Sequence, residues 1–250
     1  MDKYSEILSS FGTQETLNPQ IWDDVESDEP KLKPQIRKAL LMIAGEFMDF
    51  LGDDLFVDDV RFTGSLANYN WSKFSDIDLH LYVDFSQFDV EDVEVYKELF
   101  QLKKTLFNTT HNITVKGFDV ELYAEDIDES HFSTGVYSVM FDTWVHKPEK
   151  ESVKIDKEML LSKANSMMSK IDNAIEDSKS ENYEKAVKHI DSFKEKLKKY
   201  RSSGLEKDGE FSYENLVFKF LRRNGYIDKL FNFKNKFMDK NLSIENTDVE

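Results

Sequence analysis

The chain has 250 residues, 40% of them hydrophobic and 13% aromatic, which is enough for a packed core and excludes a disordered chain. It carries a net charge of −16, contains no cysteine, and has no apolar run near the ~20 residues that span a bilayer. The absence of cysteine excludes disulfides, thiolate catalysis and cysteine zinc sites. The N-terminus is unlike a signal peptide, so we predict a soluble, cytoplasmic protein without a membrane partner.

The charge is distributed unevenly along the chain. Residues 1–150 hold 13 Lys and Arg against 30 Asp and Glu, whereas residues 151–250 hold 20 against 19. Generic affinity for nucleic acids comes from many contacts between Lys or Arg and phosphates, so strong sequence-independent binding is disfavoured. A specific RNA substrate remains possible if the C-terminal half supplies those contacts.

The first half of the chain has the pattern of an α+β unit. Residues 1–33 are polar and weakly patterned, and we expect a polar N-terminal arm. A helix is predicted over residues 34–51, because apolar side chains recur every three or four residues between Pro34 and Gly52. The remaining elements predicted in this half are a strand at 59–63, a short helix or loop at 66–74, a strand at 76–83, a helix at 90–107, and strands at 113–115, 118–123, 136–140 and 143–146.

Beyond Pro148 the pattern becomes helical. Helices are predicted at 159–177, 183–200, 213–223 and 227–240, with a polar break from Gly204 to Gly209. We therefore predict an α+β fold with a small mixed β-sheet flanked by helices over residues 34–148. An all-helical C-terminal domain is predicted over residues 149–250.

A Gly-Ser pair ends the strand at 59–63. Gly64 lets the backbone approach a phosphate without an intervening side chain, and the Ser65 hydroxyl can add a hydrogen bond. A helix that begins just after this pair would also favour an anion there. By itself the pair is a weak signal, because most such pairs are only turns.

Carboxylates on two predicted strands form a candidate metal site. Asp76 and Asp78 are two residues apart on a strand and so point to the same face, within reach of a divalent ion. The alternative is a polar strand face open to water. Phosphoryl transfer with metals commonly needs a third carboxylate, and the strand at 118–123 offers Asp119 or Glu121. Glu121 is preferred because it lies in the middle of its strand.

Gly64-Ser65, ten intervening residues, Asp76-Ile77-Asp78-Leu79 and a later strand acid together resemble the signature of the DNA polymerase β-like nucleotidyltransferase superfamily. The resemblance covers residues 34–148. It implies a small mixed sheet flanked by helices, with the triphosphate held by Gly64 and Ser65. It also implies two Mg²⁺ (or Mn²⁺) ions on Asp76 and Asp78, with Glu121 as the third ligand beside the acceptor hydroxyl. The third acid is Glu where Asp is commoner in the family.

Three basic residues share one side of the helix at 213–223. Lys219, Arg222 and Arg223 have the spacing i, i+3 and i+4. They are candidates for binding the triphosphate, with Lys219 foremost, or for holding an acceptor's phosphates. The alternative is a solvated basic face with ion pairs to Glu210 or Glu214.

The resemblance implies an enzyme that moves an NMP from an NTP such as ATP to an acceptor hydroxyl and releases pyrophosphate. The acceptor stays open between an RNA end, a protein side chain, a nucleotide and a small molecule. The competing hypotheses are a catalytically silent nucleotide-binding or protein-interaction module and a helical interaction protein. No Gly-x-x-x-x-Gly-Lys-Ser/Thr loop is present, which argues against a P-loop NTPase.

Overall fold

This computed structural model describes residues 3–52, 55–89, 93–127, 133–150 and 153–243. The contacts divide the chain into two compact units. One unit, the sheet unit, is Gly12–Ser152, and the other, the helical unit, combines Met1–Phe11 with Val153–Glu250. The first three residues of the helix predicted at 90–107 lie outside the described residues.

Within the described ranges the fold is α+β, as predicted, with seven α-helices, a mixed six-stranded sheet and a two-stranded antiparallel sheet. The helices are α1 (Lys3–Ser9), α2 (Pro34–Leu51), α3 (Val93–Thr110), α4 (Lys157–Ser180), α5 (Tyr183–Asp208), α6 (Tyr213–Arg223) and α7 (Tyr226–Leu242). The strands are β1 (Trp22–Asp23), β2 (Lys31–Leu32), β3 (Val57–Thr63), β4 (Ile77–Val83), β5 (Thr114–Val115), β6 (Phe118–Asp126), β7 (Val136–Ser138) and β8 (Thr143–His146).

The large sheet has the strand order β5-β6-β4-β3-β7-β8. Strands β4 and β6 are parallel, and the other neighbouring strands are antiparallel. Two parallel strands need a long crossover connection, and α3 lies in the connection between β4 and β6. The carboxyl ends of β4 and β6 therefore point the same way, and their side chains match in pairs along the strands.

Period-two alternation gives this sheet one apolar face. Phe62 on β3, Leu79 on β4 and Leu122 on β6 are fully buried in the core of the sheet unit. Strand β5 pairs with only the first residues of β6. Beyond them, the side chain of Asn108 on α3 bonds the backbone of Leu122. It donates to the Leu122 oxygen at 2.9 Å and accepts from the Leu122 nitrogen at 3.1 Å. Helix α3 thus occupies hydrogen-bonding positions that a neighbouring strand would otherwise take.

The residues predicted as an N-terminal arm divide between the two units. Helix α1 belongs to the helical unit, where Ile7 is fully buried. In the sheet unit, the indole of Trp22 stacks on Phe62, and its Nε1 donates to the Leu66 oxygen at 2.8 Å. The acidic run after Trp22 is mostly exposed, so only part of this segment is solvated.

The helical unit corrects one sequence prediction. The break expected from Gly204 to Gly209 is wrong in its position, because α5 continues to Asp208. Gly204 is buried within the helix, where a Cβ would lie 2.5 Å from the Cβ of Glu214 and 2.8 Å from the Oγ of Ser212. This glycine permits close helix packing rather than ending the helix. In the described ranges, no helix combines the length and apolar character needed to cross a membrane.

Candidate functional site

The polar face of the sheet brings two of the predicted acids together. In the parallel pairing of β4 with β6, Asp78 is directly opposite Glu121, and β3 places Thr63 opposite Asp78 on its other side. Paired residues share a face of the sheet, and neighbouring strands are about 4.8 Å apart. The carboxylates of Asp78 and Glu121 therefore project from adjacent positions on one surface.

The register separates the two candidates for the third acid. Glu121 is half-buried and faces Asp78, whereas Asp119 is exposed and pairs with Thr114 on β5. Asp76 lies one residue before β4 and is half-buried. The geometry favours Glu121, and its role as a ligand stays a prediction.

The Gly64 turn lies directly against the Asp78 carboxylate. A Cβ on Gly64 would lie 1.8 Å from Asp78 Oδ2 and 2.8 Å from its Cγ, so any side chain here would displace that carboxylate. Gly64 also has φ 76° and ψ −167°, a backbone region that is essentially restricted to glycine. The backbone conformation and the nearby carboxylate both favour glycine here. The backbone of the turn therefore meets Asp78, the second of the two aspartates that follow the Gly-Ser pair.

Serine hydroxyls close the loop between the Gly-Ser pair and the acids. The Oγ atoms of Ser65 and Ser75 are 2.7 Å apart, and Ser75 Oγ also accepts from the Ser72 nitrogen at 2.9 Å. This contact gives the ten-residue spacing a physical cause, because it joins the start of the loop to the residue before Asp76. The helix expected after Gly64 is a 3₁₀ helix of three residues, Ser65–Ala67, so its dipole adds little.

The Asn68 side chain holds the Gly64 turn in place, a role that the sequence analysis did not predict. Its side-chain Nδ2 donates to the Gly64 oxygen at 2.9 Å, and its Oδ1 accepts from the Thr134 hydroxyl at 2.8 Å. Asn68 is buried, so the amide has fixed partners in place of water. An Asn four residues after a Gly turn was the available local signal, but its link to Thr134 is long-range.

Sequence reasoning also missed the support of Glu121 by Tyr123. The Tyr123 hydroxyl donates to Glu121 Oε2 at 2.6 Å. Its ring stacks on the His80 imidazole at 4.4 Å between centroids, and the Lys104 Nζ lies 3.7 Å from the ring centroid. Burial raises the pKa of Tyr123, and the negative charges of Asp78 and Glu121 raise it further. The phenol therefore stays protonated and remains a donor to Glu121.

Lys104 brings a positive charge from α3 to the acidic face. Burial lowers the pKa of Lys104, while the charges of Glu121, Glu125 and Asp78 act in the opposite direction. These effects show that the amine lies within electrostatic range of three carboxylates on the polar face. Glu125 also has its Oε2 3.0 Å from His80 Nδ1. The polar face is thus a set of interacting charges and not a set of isolated surface groups.

Lys219 belongs to the helical unit. Its Nζ lies 3.9 Å from Glu210 Oε2, one of the ion pairs that the sequence left open as the alternative to phosphate binding. Burial lowers the pKa of Lys219, and the negative charge of Glu210 raises it. The positive charges of Arg223, Arg201 and Arg222 lower the pKa of Lys219 further. The nearby Arg223 donates to the Ser10 hydroxyl at 2.6 Å. The role of Lys219 in nucleotide binding stays a prediction.

The donor set on the sheet fits a hard divalent cation. Asp76, Asp78 and Glu121 offer the carboxylate oxygens that Mg²⁺ and Mn²⁺ prefer. Carboxylates that lie near one another repel, and a cation between them relieves that repulsion. Within the described part of the chain, no three His, Asp or Glu side chains already converge on one point. Metal binding at this face therefore stays a prediction about these three acids.

Comparison with known proteins finds no relative. No protein-family model, no curated protein and no solved structure matches the chain.

Proposed function

We propose that the protein is a metal-dependent nucleotidyltransferase with a DNA polymerase β-like catalytic core. It would transfer an NMP from an NTP to an acceptor hydroxyl and release pyrophosphate. One observation supports this above all others: the Gly64 backbone contacts the Asp78 carboxylate, and Asp78 faces Glu121 across two parallel strands. The Gly-Ser turn and a pair of carboxylates thus lie side by side on the sheet.

The three acids would hold the metal ions that this chemistry needs. Asp76 and Asp78 would hold both ions, and Glu121 would complete the coordination beside the acceptor. Bound divalent ions polarise phosphoryl oxygens and lower the pKa of a nearby hydroxyl. The cluster of carboxylates attracts such ions, whose charge then offsets the repulsion between the acidic unit and the triphosphate.

The reaction would be an in-line displacement at the α-phosphorus. The acceptor oxygen forms a bond to phosphorus, the bond from phosphorus to the bridging β-phosphate oxygen breaks, and pyrophosphate leaves with the bonding electrons. A carboxylate such as Glu121 beside the acceptor hydroxyl, or water, can take the proton that the hydroxyl loses. The backbone of the Gly-Ser turn would bond the phosphates, and the Ser65 hydroxyl would exchange its bond to Ser75 Oγ for one to a phosphate oxygen.

Side chains around the acids would hold them for this step. Tyr123 donates to Glu121 and limits its rotation, and Asn68 holds the backbone oxygen of Gly64. A reacting group held in one geometry loses less entropy in the transition state. The acceptor stays open between an RNA end, a protein side chain, a nucleotide and a small molecule.

The test measures transfer of label from each α-labelled NTP with Mg²⁺ or Mn²⁺, with and without total RNA and cell lysate. The variant Asp78→Asn removes one charge from the site. Asp49→Asn is the matched control, because Asp49 is an exposed acid on α2, the helix that packs in the apolar core. We expect Asp78→Asn to abolish the transfer and Asp49→Asn to leave it intact.

Two results would overturn this proposal. Transfer that persists in Asp78→Asn would remove the assignment of the site. No transfer under any condition, together with an NTP-dependent rise in the melting temperature, would favour the silent nucleotide-binding module.

A further inference from the structure

Helix α3 has two apolar faces, and only one of them is buried. Phe100 and Phe107 point into the core of the sheet unit. The second face, which we call the α3 stripe, consists of four aliphatic residues whose exposed fractions are 62%, 38%, 69% and 53%: Val95, Leu99, Leu102 and Leu106. Four large aliphatic side chains exposed side by side on one helix form a continuous apolar patch, and such patches commonly mark sites of interaction.

The α3 stripe has the spacing of a coiled-coil seam. Its members are separated by four, three and four residues, which is the a and d pattern of a heptad over three turns. At 100° per residue, all four side chains lie within about 60° around the helix, and their centre is about a third of a turn from the buried face. Such a narrow, straight seam fits the side of another α-helix.

Hydrogen bonds from α3 to α2 and to β6 oppose a rotation of α3 about its axis that would bury this stripe. Lys103 donates to the backbone oxygens of Phe50 and Leu51 at the end of α2, at 3.2 and 2.5 Å. On the opposite side, Asn108 is bonded to the backbone of Leu122 on β6. The exposed stripe is therefore a fixed surface of the sheet unit.

We propose that the α3 stripe is the interface of a homodimer, in which α3 pairs antiparallel with α3 of a second copy around a two-fold axis. Val95 would pack on the partner's Leu106, and Leu99 on the partner's Leu102. The stripe is complementary to itself in this arrangement, because each of its two pairs is repeated on the other side of the axis. Two-fold dimers need such self-complementary surfaces. The proposal is independent of the catalytic activity proposed above.

The residues beside the stripe are compatible with a second copy. In antiparallel pairing Glu98 would face the partner's Thr105, and Tyr96 would face the partner's Lys103, so no like charges meet. Parallel pairing would place Leu99 and Leu106 at a positions and Val95 and Leu102 at d positions. Parallel dimers prefer β-branched residues at a and Leu at d, so only Leu102 would match that preference. The sequence of the seam thus favours the antiparallel pair.

The size of the stripe and the charge of the chain set the strength of the dimer. Four side chains from each copy make a small interface, below about 1,200 Å² in total, so we expect a reversible dimer. Two copies with a net charge of −16 repel each other at low ionic strength. Added salt screens this repulsion and leaves the apolar contact in place, so the dimer should become tighter as the salt concentration rises.

Sedimentation velocity over a range of protein and salt concentrations tests the interface. We expect a monomer–dimer equilibrium that shifts to dimer with salt and that Leu102→Glu abolishes. Met42→Glu is the matched control, because Met42 is a similarly exposed apolar residue on α2 and should leave the dimer unchanged. Circular dichroism melting of both variants checks that each is folded. A wild-type chain that stays monomeric throughout, or a dimer that survives Leu102→Glu, would overturn the proposal.

Disulfide trapping tests the direction of pairing, because the chain has no cysteine of its own. Val95→Cys mixed with Leu106→Cys should give a cross-linked heterodimer, since these positions face each other in antiparallel pairing. Leu106→Cys alone should not cross-link, because two copies of this position are then about 16 Å apart along the helix axis, beyond disulfide reach. Cross-linking of Leu106→Cys alone, without the mixed product, would contradict the antiparallel arrangement.

Discussion

The two faces of the six-stranded sheet are built from the same strands, yet they differ in polarity and burial. On β4, Leu79 is fully buried in the core, and its neighbour Asp78 projects from the opposite face toward Glu121 on β6. The apolar face accounts for the stability of the sheet through burial of aliphatic side chains. The polar face gathers like charges, which folding alone does not favour.

Under the proposed function, the polar face is the one that carries the chemistry. Natural proteins keep locally unfavourable arrangements mainly at functional sites, and the stability they lose there is recovered elsewhere. The backbone of Gly64 is in a region costly for other residues, and it approaches the acid on the same face. We therefore expect substitutions on the polar face to lower activity and substitutions on the apolar face to lower stability.

The largest effect is expected from Asp78→Ala. Removal of this carboxylate should lower the transfer of label by ~10³-fold or more, as for a member of a catalytic group that acts as a unit. The melting temperature should change little, because the variant loses the repulsion between Asp78 and Glu121 together with the attraction between Asp78 and Lys104. Label transfer and thermal melting measure the two quantities, and an unfolded variant would contradict the assignment of Asp78 to function.

Leu79→Ala tests the opposite face one residue away. Deleting a fully buried leucine side chain should lower the free energy of unfolding by about 2–5 kcal/mol. Urea denaturation measures this loss. The specific activity of the folded fraction should stay close to that of the wild type, and a loss as large as that in Asp78→Ala would break the distinction between the two faces.

Gly64→Ala should affect both quantities. The backbone conformation costs a non-glycine residue about 1–3 kcal/mol, and the new Cβ would displace the Asp78 carboxylate. Gly117→Ala is the matched control, because Gly117 also has a positive φ but nothing lies within 4 Å of the added Cβ. We expect both variants to lose stability in denaturation and only Gly64→Ala to lose activity. Equal activity in the two variants would show that the contact with Asp78 has no role.

Tyr123→Phe should have the smallest effect. It keeps the ring between His80 and Lys104 but removes the hydroxyl that donates to Glu121, so activity should fall by about tenfold, as when the support of a metal ligand is lost. Titration with Mn²⁺ should show weaker binding as well. Tyr137→Phe removes a comparable bond to Asp142 and should cost stability without a change in Mn²⁺ affinity.

Local patterns predicted the elements of the sheet unit, whereas long-range contacts decided the site. The alternation from Ile77 to Val83 and the helical spacing from Pro34 to Leu51 are local, and the strand and helix lie there. The pairing of Asp78 with Glu121 depends on the register of β4 and β6, which are separated by α3 in the chain. No local pattern carries that register.

The structural role of a glycine also depends on long-range contacts that the sequence does not show. Gly204 resembled a helix stop, but it lies inside α5 because α6 and its cap pack against it. Its role follows from a neighbour ten residues away in sequence that only the folded chain brings close. Gly64, by contrast, was singled out correctly as a turn, although its contact with Asp78 was not foreseen.

Mn²⁺ titration calorimetry of Glu121→Gln and Asp119→Asn tests the central claim most directly, because the two acids are two residues apart on β6 and only Glu121 faces Asp78. We predict that Glu121→Gln weakens Mn²⁺ binding by at least about tenfold, whereas Asp119→Asn changes it by less than about twofold. Equal weakening in both variants, or a larger loss in Asp119→Asn, would contradict a metal site on the polar face at Asp78 and Glu121.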